Sequence, residues 1–275
     1  MTAEGGEPFK AAADALTEEQ HRALGARSPR LYIEAGPGTG KTTVSAQRFG
    51  VHRFDPEARS DVRAVVAVSF TRAATLTLAR RVQRFWGREA LSWPHQIVTL
   101  DAIMSDLLRD LLRAGVLRWP NGHVDLRVED SWSAFGATLW NRTAYELTVQ
   151  NGEVVVVSGF TDSGRVTVPT TISIPLLNDG ICTHDDIRSV LEQAIDDPGI
   201  ADFVRARLAA RMRALIVDEV FDANDLDIAI IEFAVEAGVA VTLVGDPGRR
   251  CMCSAVPGLR SFPCCSTGRS SGGSR

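Results

Sequence analysis

The run Ala35-Gly36-Pro37-Gly38-Thr39-Gly40-Lys41-Thr42-Thr43 lies between a short apolar segment, Leu31 to Ile33, and a helical pattern that continues through Gln47 and Arg48. A glycine-rich turn between a strand and a helix constrains a chain strongly. It lets consecutive backbone N–H groups turn inward and adds the positive end of the helix dipole, which together make a cradle for phosphate oxygens. Gly36, Gly38 and Gly40 allow the turn, Lys41 sits where it would neutralise β- and γ-phosphates, and Thr42 offers a hydroxyl to magnesium. Pro37, Thr39 and Thr43 complete the candidate loop. The strict pattern starts with Gly where this chain has Ala35, while Gly40-Lys41-Thr42-Thr43 is intact. The competing reading is a glycine-rich turn with no ligand.

A second element is needed to hold the metal and direct a water. Asp218-Glu219 closes the apolar segment Ala214 to Val217, and the carboxyl edge of a parallel sheet is where α/β proteins bind ligands. In that position Asp218 would bind Mg²⁺, directly or through its water, and Glu219 would act as general base. The bland alternative is a helix-capping Asp with a surface Glu. Gln20 has a dull reading too, as the fourth residue of a capping box opened by Thr17 at the start of the helix Leu16 to Leu24.

The rest of the chain supports an α/β architecture with a parallel sheet and helices on both faces. Ala64 to Phe70 reads as a buried strand, Ala73 to about Phe85 as a helix, and Ile97 to Leu100 as a third strand. The sheet pattern resumes with Ala214 to Asp218, a helix from about Leu226 to Ala237, and the strand Val239 to Gly245. Between these lies a different block: a helix from Met104 to Ala114, β-rich runs at Leu147 to Val157 and Gly164 to Ile174, and helix again from Thr183 to Ala209. Asn151-Gly152 inside the first β-rich run signals a hairpin, and Asp185 or Asp186 would cap the returning helix. The expected organisation is residues 1–103 and 210–247 as one domain, 104–209 as an inserted mixed subdomain with β-hairpins, and 248–275 as a patternless, disordered tail.

Composition narrows the function. The 275 residues carry a formal net charge of −4, which argues against binding nucleic acid through bulk charge. A local basic stripe, Arg72, Arg80, Arg81, Arg84 and Arg88, falls on one helical stretch, and a solvated helix face explains it equally well. Cys182 is isolated, whereas Cys251, Cys253, Cys264 and Cys265 crowd the tail. A body nearly free of cysteine fits a reducing, cytoplasmic setting, and the tail cysteines lack zinc-site spacing. Neither a signal peptide nor a membrane span is expected.

With Gln20, the phosphate loop and Asp218-Glu219 in this order, the chain resembles the UvrD/PcrA-like superfamily one DNA helicases from roughly Leu16 to Asp246. The likeness covers their first RecA-like domain, including the place where an accessory subdomain is inserted. It implies ATP and Mg²⁺ as cofactors and single-stranded DNA as partner. It further implies an adenine contact at Gln20, although one amide cannot serve cap and base at the same moment. Phe70-Thr71-Arg72-Ala73-Ala74 is similar to a DNA-contacting segment of those enzymes, which makes Thr71 and Arg72 candidates for backbone contacts. Thr99-Leu100-Asp101-Ala102-Ile103 resembles the next such element, with Asp101 where the family usually has His. In Ile216-Val217-Asp218-Glu219-Val220-Phe221-Asp222 the family usually has Gln at Phe221. Leu243-Val244-Gly245-Asp246-Pro247 resembles the start of the third motif and would bring Asp246 to the nucleotide, but the Gln expected soon after is Arg249.

Gly248 to Leu259 can be encoded by bases that, regrouped after adding one, read Trp-Gln-Ala-Leu-Tyr-Val-Phe-Arg-Gly-Ala-Arg-Pro, the way that motif continues in the family. The hypothesis is a one-base frameshift after Pro247. Sequencing independent copies of the locus tests it, since a tail that never regains the longer frame is authentic. The expectation is therefore the ATP-binding part of a helicase whose second RecA-like domain, with its arginine finger, is missing. Such a chain would bind ATP-Mg, hydrolyse it slowly, bind DNA weakly and not unwind. The alternative is a non-helicase P-loop protein, either a regulatory module or a small nucleotide kinase.

Overall fold

The computed structural model describes residues 16–36, 38–132, 143–160, 170–246 and 264–266. Pro37 and most of the tail, Cys251 and Cys253 included, lie outside them. A six-stranded sheet organises the fold, and the ladders across the strands nearest the glycine loop are parallel, as the α/β pattern requires. In chain order its strands are β1 (Arg30–Glu34), β2 (Ala64–Ser69), β3 (Gln96–Thr99), β8 (Met212–Asp218), β9 (Ala240–Gly245) and β10 (Cys264–Ser266). They lie side by side as β10-β1-β9-β8-β2-β3. β2 is buried at every position, the pattern of a strand covered on both faces.

This strand order places the carboxyl ends of β1, β9 and β8 next to one another. The register pairs Glu34 with Gly245 and Asp218 with Val244, so three successive strands end at nearly the same level. Helices α1 (Glu18–Gly25), α2 (Lys41–Arg53) and α3 (Arg72–Trp86) belong to the same compact unit, which is drawn from within Met1–Ile97, Met212–Ala223 and Val239–Arg275. α2 and α3 bury Ala46, Phe49, Leu78 and Val82 against Val65, Ala67, Ala214 and Ile216 of the sheet. A smaller cluster joins Ala23 and Leu24 of α1 to Leu31, Ile33, Val44 and Val244. Gly50 is required by the close approach of α2 and α3, because a Cβ there would lie 1.8 Å from the Trp86 ring.

Within the tail, the described residues Cys264–Ser266 form a short strand parallel to β1 where no ordered element was expected. Nothing in its composition signals this, since a three-residue edge strand is specified by the open hydrogen-bonding edge of β1 rather than by its own pattern.

The second compact unit is drawn from within Val98–Arg211 and Asn224–Gly238. It contains α4 (Leu100–Arg113), β4 (Arg127–Glu129), the hairpin β5 (Thr143–Gln150) and β6 (Glu153–Phe160), α5 (Thr170–Asn178), β7 (Ile181–Thr183), α6 (His184–Ala194), α7 (Pro198–Arg211) and α8 (Asp225–Glu236). The hairpin turns at Asn151 and Gly152, both at positive φ, as a two-residue primed turn demands. The side-chain amide of Gln193 extends β5 by donating to Leu147 O at 2.8 Å and accepting from Val149 N at 3.1 Å. Two local expectations change. Thr170 to Ile174 is helical despite its β-branched residues, because the helix buries Ser173 and Leu177 completely, and burial outweighs propensity. The cap of α6 is Thr183, and the Asp186 carboxylate accepts from the Thr183 N–H as the reciprocal half of the capping box.

Candidate nucleotide site

α2 begins at Lys41, directly after Gly40, whose φ of 89° closes the turn in the left-handed region. No acidic residue occupies the first turn of α2, so the positive end of its dipole is left unneutralised by its own sequence. The loop is braced from within, as the Thr39 hydroxyl donates to Gly36 O at 2.7 Å. It is also braced from outside by Gln20, which is 5% exposed. Gln20 Oε1 accepts from Thr17 N at 2.9 Å, and Nε2 donates to Thr39 O at 2.7 Å. The capping and loop-facing roles thus coexist on opposite ends of one amide, with one N–H and one lone pair left over.

Asp218 ends β8 and is 2% exposed. Its Oδ1 accepts from Ser45 Oγ at 2.9 Å, and the Thr42 hydroxyl lies close enough to the same carboxylate to favour its charged form. Burial pushes the Asp218 carboxyl above the usual range, the charge of Glu219 adds to this, and the bond from Ser45, the nearby Thr42 hydroxyl and the charge of Lys41 oppose it. A buried carboxylate bonded to one hydroxyl, with a second hydroxyl and an ammonium nearby, has the chemistry to take a divalent cation, which would offset the same desolvation. Glu219 follows with φ 61° and ψ 45°, an unusual backbone for a residue with a Cβ, and its side chain is exposed. Among the described residues Lys41 and Glu219 make no hydrogen bond or ion pair through their side chains. Asp246 leaves the neighbouring strand β9, whose last carbonyl, Gly245 O, accepts from Ala35 N at 2.8 Å.

Other residues selected from the sequence sit elsewhere. Thr71 is exposed and caps α3, accepting from Ala74 N at 3.1 Å, and Arg72 beside it is exposed too. In the second unit Thr99 caps α4 through Ala102 N, and Asp101 accepts from Arg188 Nε at 2.7 Å. Arg188 also pairs with the buried Asp227 at 2.9 Å. Three residues escaped the sequence reading. Ser45 reaches Asp218 from one turn beyond Thr42, a spacing that periodicity could have revealed. Arg81, grouped with the basic stripe, donates to the Thr43 hydroxyl. Phe221 packs on Gly245.

Comparison with known protein families matches residues 16–153 to the UvrD/REP helicase N-terminal domain, half of the chain. The chain belongs to that family. Curated relatives in the same comparison are named as ATP-dependent helicase/nuclease subunits. The chain is 34% identical to the protein of Desulforudis audaxviator over 107 residues, which is 34% of this chain and 9% of that protein. It is 37% identical to that of Pelotomaculum thermopropionicum over 73 residues, 26% of this chain and 6% of that one. The protein of Clostridium botulinum strain Okra aligns over 66 residues at 35% identity, 24% of this chain and 5% of its own length. The chain therefore spans less than a tenth of the relatives it matches. Among its described residues no helix is long and apolar enough to cross a membrane.

Proposed function

We propose that this UvrD/REP-family domain binds ATP with Mg²⁺ as the first motor domain of an ATP-dependent DNA helicase. The observation that carries the reading is the Ser45–Asp218 hydrogen bond, which brings the first turns of α2, with Lys41 and Thr42, against the carboxyl end of β8. Bound magnesium would supply charge neutralisation for phosphate oxygens, and Thr42 and Asp218 would hold it. Lys41 and the α2 N-terminus bind phosphate, Gly36 to Gly40 shape the loop, Gln20 steadies it and gives up its cap bond when it contacts adenine, and Asp246 lies at the next strand end. Glu219 polarises the attacking water, a role that suits its exposed and uncommitted carboxylate.

Thr71 and Arg72 are proposed to touch the backbone of single-stranded DNA, with Thr99 in the next element. Asp101, already bonded to Arg188, is a weaker candidate on charge grounds. A second RecA-like domain is the expected partner and source of an arginine finger worth about 10³ to 10⁵ in rate. Slow ATP hydrolysis and no unwinding are the behaviour proposed for this domain acting without that partner. The inserted-subdomain reading of residues 104–209 is part of this proposal.

Titration with a fluorescent ATP analogue, with magnesium and with chelator, tests it. Lys41→Ala should weaken binding about a hundredfold or more, the size of losing a desolvated charge partner, with an unchanged circular dichroism spectrum. Equal binding by the wild type and Lys41→Ala would refute the site.

A further inference from the structure

Gly245 closes β9 one residue before Asp246, and its Cα is covered by an aromatic ring. A Cβ at Gly245 would lie 2.3 Å from Phe221 Cε2, 2.8 Å from Phe221 Cδ2 and 3.1 Å from Val220 Cγ1. The same ring meets Tyr32 of β1 edge-on, with centroids 6.4 Å apart and planes at 88°. Phe221 belongs to the short turn Val220–Asp222, which is entered through the left-handed Glu219 and closed by Asp222 N donating to Glu219 O at 3.0 Å. One ring therefore touches β1, which leads into the phosphate loop, and β9, which leads into Asp246, while its own backbone carries the acidic pair.

We infer that Phe221 is a positioning residue: wedged between Gly245 and Tyr32, it holds the Glu219 turn and the end of β9 in register with the phosphate loop, so that the magnesium-dependent part of nucleotide binding depends on it. The inference rests on the nucleotide-binding reading above. The physical case is one of shape. A left-handed glutamate costs free energy on its own and persists only where its surroundings over-determine it. The ring supplies that constraint through van der Waals contact, because a phenyl group has no hydrogen bonds to offer. It also adds no polar group that would compete with water or metal for the acidic pair.

The test is a double-mutant cycle on the full chain: Phe221→Ala, Gly245→Ala and both together, each titrated with a fluorescent ATP analogue in magnesium and in chelator. Each single change is expected to weaken binding in magnesium about tenfold, the scale of one lost well-packed contact, and to leave binding in chelator nearly unchanged. The double variant should bind no worse than Phe221→Ala alone, since the new methyl enters space the ring has vacated. Phe221→Leu, which keeps apolar volume on Gly245, should fall between wild type and Phe221→Ala and covers the case in which the alanine variant does not fold. Additive losses in the cycle, or equal losses with and without magnesium, overturn the inference while leaving the nucleotide site intact. If the wild type binds no nucleotide in either condition, the functional reading itself fails and takes this inference with it.

Discussion

The two edges of the central sheet use their polar groups in opposite ways. At the amino edge, Arg213 near the start of β8 donates to four backbone carbonyls, those of Ala58, Asp61, His52 and Arg53, at 2.8 to 3.4 Å. Asp61 and Arg63 pair through a fork with Nη2 to Oδ2 at 2.8 Å, and the imidazole of His95 accepts from Val65 N at 2.9 Å. Burial, with the charges of nearby arginines, pushes His52 and His95 down to about 4, so both are neutral at pH 7. At the carboxyl edge, Lys41 and Glu219 are uncommitted among the described residues, Asp218 is buried at the expense of its charge, and the backbone of Glu219 is left-handed. The amino edge commits most of its polar groups to internal bonds that stabilise the fold, although the buried His52 Nε2 and Arg53 Nε have no hydrogen-bond partner among the described residues. An edge that leaves its polar groups unmatched is less stable alone and becomes complete only with a ligand of opposite charge.

The largest effect that would sharpen this contrast is Arg213→Ala. It strands carbonyls at the amino edge and should cost about 3 kcal/mol of stability, read as a lower urea midpoint, with unchanged nucleotide affinity in the molecules that remain folded. A smaller midpoint shift than for a surface arginine such as Arg88 would remove the distinction between the edges.

The next effect is pH dependence. His52 and His95 have folded pKa values below the unfolded one, so the unfolded chain binds more protons as pH falls from about 6.5 towards 4. Their stabilising contribution is complete above about 6.5 and is lost across that window, by up to about 3 kcal/mol for His52. Asp218 acts in the opposite sense: its raised pKa favours the folded state in acid, and that advantage disappears as pH rises through its folded pKa. Melting temperatures between pH 4 and 7 should therefore fall on acidification. His52→Asn should flatten the curve, and an unaltered slope would show that this imidazole does not titrate as described.

The smallest effect belongs to the carboxyl edge. Glu219→Gly removes the Cβ from a left-handed position and should stabilise the fold by about 1 kcal/mol, while abolishing any hydrolysis that Glu219 supports. A rise in melting temperature would mark the strain as real; a fall would show that the Glu219 side chain contributes to stability instead.

Much of the scaffold was legible because it rests on local rules. Ala64 to Val68 and Ala214 to Val217 are short continuous apolar runs, the mark of strands buried on both faces, and the glycine loop lies between a strand and a helix as its chemistry requires. Thr17 with Gln20 and Asn151 with Gly152 announced a helix start and a hairpin through residue chemistry alone. Contacts between segments distant in sequence were not legible. No spacing rule connects Phe221 to Gly245, Arg81 to Thr43, or Asp101 to Arg188, and the helix from Thr170 contradicts the β-branched composition of its first turn.

By itself, then, the sequence determined which segments become strands and helices, which loop can cradle phosphate and which carboxylates stand at a strand end, since all of these follow from interactions within a few residues. Only the tertiary structure decided that β1, β9 and β8 lie side by side, so that Ser45 meets Asp218 and the Phe221 ring closes over Gly245. Strand order is a property of long-range packing, where burial of whole faces outweighs any local preference, and no short stretch of chain encodes it.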